Sequence, residues 1–156
     1  MKYEVRVETS LERPIAVVRR CVARSQLRAA VQQACGLVWN VLRSQHTGGL
    51  GRHVALYWDD QITVDVGVEL DAPFAGHGEV VGATMPAGFT ATTTHFGPYG
   101  QLAAAHQLIH DWCAINGHEL AGPNWEIYGH WREAWNSDPT LIRTDVFYLL
   151  ANDATP

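Results

Sequence analysis

The spacing of apolar positions changes several times along the chain, and each change marks an element. Residues 15–22 (IAVVRRCV) are β-branched and apolar, which predicts a strand. Leu27, Ala30, Val31, Ala34, Val38, Val41 and Leu42 then recur at helical spacing over 25–45, with Ser25 placed as an N-cap and the Gly48-Gly49-Leu50-Gly51 stretch as the break. HVALYW (53–58) and ITVDVGVEL (62–70) predict two strands joined at Asp59-Asp60.

The second half repeats this order. FTATTTHF (89–96) is strand-like, and Pro98 suits the first turn of a helix that Gly117 stops. Leu102, Ala105, Leu108, Ile109, Trp112 and Ile115 form that helix's apolar face, and strands follow at 124–131 and 141–150. Gln26-Leu27 and Gln101-Leu102 open the two helices; ALY (55–57) matches EIY (126–128), and TVDV (63–66) matches RTDV (143–146). Matches in a shared order indicate one strand–helix–strand–strand module used twice. The predicted fold is α+β: two tandem units, about 1–70 and 80–152 of one domain spanning 1–156, with a joined antiparallel sheet, both helices on one face and a ligand groove on the other. DAPFAGHGEV (71–80) reads as the surface linker.

Composition narrows the function. The chain has 156 residues, enough for a sizeable core, and a formal net charge of −5 with no basic stripe of the kind nucleic acid requires. Neither a signal peptide nor a membrane-length apolar run is present, so a cytoplasmic, membrane-free protein is expected. Cys21, Cys35 and Cys113 lack metal or disulfide spacing and read as small thiols in a reducing compartment. Six Trp, five Tyr and four Phe are hard to bury completely in a domain this small, so some should line a cleft.

HFGPY (95–99), the amphipathic helix after it, AGPNWEIY (121–128), TDVFYLL (144–150), the opening MKYEV and the ALYWDD…VDVGVEL hairpin together resemble the GyrI-like small-molecule-binding domain family. The resemblance implies the tandem fold above and a ligand that is a hydrophobic or cationic small molecule. Family members include effector-binding domains of multidrug-responsive regulators, the gyrase inhibitory protein and hydrolases that open cyclopropane rings. The first predicted strand starts at Ile15, leaving no room for a preceding helix-turn-helix, so a stand-alone member is expected.

By this resemblance Glu126 is the acid that meets cationic ligands. Strand alternation puts it on one face with Tyr128 and His130, and Trp125 and Ile127 on the other. If the helices cover the Trp125/Ile127 face, Glu126 points into the groove. A carboxylate walled by rings adds cation–π attraction to its charge, and it is equally placed to donate or accept a proton. Tyr57 and Tyr128 occupy equivalent repeat positions as groove walls, Trp39 flanks the first helix, and Trp125 joins the expected ligand-binding aromatics. His95 and Tyr99 border the groove in the family. Trp131 and Trp135 sit in an elongated hairpin loop, which suggests a lid. Phe147 is also expected to line the ligand site, at a position where members often carry Tyr; Tyr148, one residue along, should face the other side of the sheet.

Three readings follow. The first is a binding protein for apolar or cationic molecules. The second is a cyclopropanoid hydrolase using Glu126 and Tyr128. The third is a gyrase-type protein–protein inhibitor. Binding ranks first, because a cage is evident and a complete acid–base pair is not. No cofactor or metal is expected: His106 and His110 have zinc-like spacing but no accompanying carboxylate in an HExxH pattern. A Trp-rich rim would also suit a homodimer.

Overall fold

A computed structural model of the chain describes residues 3–45, 50–58 and 63–151. It contains eight strands and two main helices, and every strand pairing among the described residues is antiparallel. The α+β class and the repeated strand–helix–strand–strand order are as expected. The Gly48-Gly49 break and the Asp59-Asp60 turn lie outside the described residues.

Two compact units divide the chain. The unit Leu11–Pro86 holds β2 (Arg13–Cys21), α1 (Leu27–Gln45), β3 (Leu50–Tyr57), β4 (Thr63–Leu70) and β5 (Val81–Met85). β4 pairs with both β3 and β2, and β5 adds outside β2. α1 packs on β2 and β4 through Ala34, Val38 and Leu42, which are fully buried and belong to the predicted stripe. Both faces of β4 are buried: Val64, Val66, Val68 and Leu70 lie on one, and Asp65, Gly67 and Glu69 on the other. Gly67 is required there, because a Cβ would stand 1.7 Å from the Ala16 carbonyl oxygen.

The other unit joins β1 (Arg6–Ser10) to the chain from Ala87 onward: β6 (Gly88–Phe96), α2 (Leu102–Asn116), β7 (Leu120–Tyr128), the short α3 (Ala134–Ser137) and β8 (Arg143–Leu150). β8 lies between β6 and β7, and β1 adds outside β6. Its core is Leu102, Ala105, Ile109 and Cys113 of α2 against Ala91, Val146, Tyr148 and Leu150. Gly117 ends α2 in the left-handed conformation, φ 73°, as its position predicts.

Several local expectations need correction. β1 and β5 were not predicted; each is only five residues long, and each pairs with a strand distant in sequence. Ser25 lies inside a 3₁₀ turn, Arg24–Gln26, rather than before a helix. Ile115 is 83% exposed, because Cys113 occupies the buried position on the last turn of α2. β7 ends at Tyr128, which leaves His130 and Trp131 outside the strand, and a 3₁₀ turn at Pro139–Leu141 delays β8 to Arg143. The 71–80 connection is mostly exposed, but Val80 is buried and His77 and Val80 exchange backbone hydrogen bonds.

Candidate functional site

Register fixes which side chains share a face. Glu126 stands opposite Val146, Tyr128 opposite Thr144, and Asn124 opposite Tyr148. Val146 and Tyr148 pack against α2, so this is the helix-covered face. The expectation that the helices cover Trp125 and Ile127 is therefore reversed for this unit: Glu126 lies under α2. Trp125 and Phe147 face the opposite way and stack on each other, with centroids 5.6 Å apart.

Glu126 is 7% exposed and both its oxygens are engaged. Tyr128 Oη lies 2.5 Å from Oε1, and His106 Nε2, from α2, lies 2.7 Å from Oε2. His106 Nδ1 meets Tyr148 Oη at 2.7 Å. An ionised carboxylate only accepts, so the Tyr128 hydroxyl and the His106 Nε2–H donate to it. Nδ1 is then free to accept from Tyr148. That phenol is pushed well above its ordinary range, first by burial and then by the Glu126 charge, so it keeps its proton as the donor. One continuous chain results, Tyr148 to His106 to Glu126, with Tyr128 closing the far side. Tyr99 meets the Tyr128 ring edge-on at 5.5 Å, and His110 meets Tyr148 at 4.9 Å.

Sequence reasoning thus missed two members. His106 was set aside, although it is four residues from Leu102 and three from Ile109, within the buried stripe. Tyr148 was expected to turn away from Glu126; the register places it on the same face, while Phe147 is the residue that turns away.

The charge balance of Glu126 is unusual for this protein. Asp65 is gripped by Arg19 at 2.7 and 2.9 Å and by the Trp58 indole at 2.7 Å. Glu69 meets Arg52 and Arg13, and Asp145 meets Arg143. These three acids are buried, as Glu126 is. Among the described residues, Glu126 is the buried carboxylate that no arginine reaches.

The remaining predicted residues have other settings. His95 is fully buried, with Nε2 donating to the Pro98 carbonyl at 3.2 Å and Nδ1 meeting the Tyr3 hydroxyl at 2.9 Å, so it secures the turn into α2. Trp135 is 6% exposed, whereas Trp131 is 54% exposed and meets it edge-on at 5.3 Å. Trp39 and Tyr57 belong to the Leu11–Pro86 unit, where Trp39 tilts against His53 and Tyr57 ends β3. A cleft of about 490 Å³ in that unit is lined by Arg13, Phe74 and Thr84 among others and contains no predicted site residue. No group of acidic, His or Cys side chains suited to a metal occurs among the described residues, and no described helix is long and apolar enough to cross a membrane.

Comparison with known proteins identifies the family and the fold. The family model for the GyrI-like small molecule binding domain matches residues 3–147. The C-terminal domain of EcmrR is 20% identical, with a TM-score of 0.75 over 98% of this chain and all of that one. In the EcmrR–DNA complex, 97% of this chain aligns with a TM-score of 0.81 at 19% identity, spanning 58% of the EcmrR chain. SAV2435 bound to tetraphenylphosphonium is 12% identical, with a TM-score of 0.68 over 97% of this chain and 95% of that one. Curated protein sequences give no match.

Proposed function

The chain belongs to the GyrI-like small molecule binding domain family, and on that premise we propose that it binds an apolar organic cation, with Glu126 as counter-charge and Tyr128 and Tyr99 as flanking rings. The observation that carries this reading is that, among the described residues, no arginine stands beside Glu126 while the other buried acids each have one. The Tyr128 hydroxyl and the His106 ring hold the carboxylate in place, and an arriving cation that displaces the Tyr128 hydroxyl meets its charge directly. SAV2435, a fold neighbour, binds tetraphenylphosphonium, a cation of this class.

Entry requires the Tyr128 hydroxyl to leave Oε1. A hydrogen bond to a charged group is worth about 1.5–3 kcal/mol, and each cation–π contact returns about 0.5–2 kcal/mol in addition to the direct charge attraction. Trp131 would form the exposed rim and Trp135 the root of a cover. Titration with tetraphenylphosphonium and with neutral triphenylphosphine oxide, followed by tryptophan fluorescence, tests the reading. Binding of the cation alone supports it, and equal binding of both contradicts it.

One observation favours hydrolysis as a second reading: the Tyr148–His106–Glu126 order is that of a proton relay. The burial of the Tyr148 hydroxyl, which leaves no exposed nucleophile along the relay, ranks this reading below binding.

A further inference from the structure

Thr144 sits in the middle of a cross-strand row on the helix-covered face, with Tyr128 on one side and His95 on the other. It is fully buried, yet its hydroxyl has no hydrogen-bond partner among the described residues. Its row neighbours are engaged elsewhere: the Tyr128 hydroxyl on Glu126, and the two His95 nitrogens on Tyr3 and Pro98. A buried hydroxyl without a partner is a net cost to folding, and valine would fill the same place in a strand without it.

We propose that Thr144 is the selectivity residue of the Glu126 site, its hydroxyl accepting an N–H from a primary or secondary ammonium whose charge Glu126 balances. This inference rests on the binding reading above and deepens it by naming the ligand class. Thr144 is directly opposite Tyr128 and diagonal to Glu126, a separation of roughly 7–8 Å between diagonal positions. When the Tyr128 hydroxyl leaves the carboxylate, an ammonium taking its place lies within reach of both side chains. A quaternary cation presents charge but no N–H, so it satisfies Glu126 and leaves Thr144 unpartnered. Sites built to hydrogen-bond a ligand group discriminate strongly against analogues that lack it.

The test compares benzhydrylammonium with its N-trimethylated form by calorimetry, on wild type, Thr144→Val and Thr144→Ser. Wild type is expected to favour the N–H form by about tenfold or more. Thr144→Val should bring the two affinities to within about twofold of each other, and Thr144→Ser should restore the preference. A thermal melt of Thr144→Val at or above the wild-type midpoint shows that the fold is intact. A preference that survives Thr144→Val, or that wild type never shows while binding the trimethylated form, overturns the assignment and leaves the binding reading standing. If wild type binds neither probe and also fails to bind tetraphenylphosphonium, the binding reading falls, and the role of Thr144 with it.

Discussion

Glu126 and His106 meet at 2.7 Å, joining the end of β7 to the first half of α2. Most of the other contact between α2 and its sheet is apolar, through Leu102, Ala105, Ile109 and Cys113. The pair therefore fixes where along the sheet the helix sits, because apolar packing is non-directional and a charge-assisted hydrogen bond is not.

Replacing His106 with alanine should leave Glu126 Oε2 and the Tyr148 hydroxyl without their partner. The expected loss is about 1–3 kcal/mol, read from urea unfolding. A variant as stable as wild type would show that the relay contributes nothing to holding α2.

The Tyr148 phenol is raised above its ordinary value of 10.0, chiefly by burial. Below pH 10 both the folded and the unfolded chain hold this proton, so its contribution to stability is fully present. Above pH 10 the unfolded chain releases the proton while the folded chain retains it, so stability falls as pH rises. Unfolding curves from pH 9 to 11 should show a steeper decline for wild type than for Tyr148→Phe. Parallel declines would contradict the burial of this hydroxyl.

The buried acids should respond differently to neutralising changes. Arg19→Ala leaves Asp65 buried with the Trp58 indole as its remaining side-chain donor among the described residues, and it should cost about 1–3 kcal/mol, a range reduced because the guanidinium is itself largely exposed. Glu126→Gln removes a charge that no arginine balances, so its stability should stay within about 1 kcal/mol of wild type or exceed it. Denaturant midpoints for the two variants decide this, and the reverse order would remove the basis for treating Glu126 as functional.

Trp135 and Trp131 should separate into root and rim. Gly129 faces the Trp135 ring so closely that a Cβ would stand 3.1 Å from it. Trp135→Ala should destabilise by about 3–5 kcal/mol and Trp131→Ala by no more than about 1 kcal/mol. If Trp131 covers the ligand, Trp131→Ala should still weaken cation binding; unchanged affinity would end the lid idea.

Much of the fold was legible in the sequence because α1, α2 and the strands next to them carry unbroken periodicity. β1 and β5 were not, since each is only five residues long and their partners, β6 and β2, are not their neighbours in sequence. Glu126 and Tyr128 on one face follow from alternation alone. Which face α2 covers does not, because β7 and β8 carry large apolar side chains on both: Trp125 and Phe147 on one, Tyr128, Val146 and Tyr148 on the other. That ambiguity turned Tyr148 the wrong way and left His106 without a role. The orphaned Thr144 hydroxyl has no sequence signal, because threonine is an ordinary strand residue.

The central claim is that Glu126 supplies the charge that holds an organic cation. Isothermal titration of tetraphenylphosphonium into wild type and Glu126→Gln tests it most directly. The account predicts binding to wild type and a loss of about tenfold or more in the variant, with the folded state retained. Equal affinity for the two proteins would contradict it.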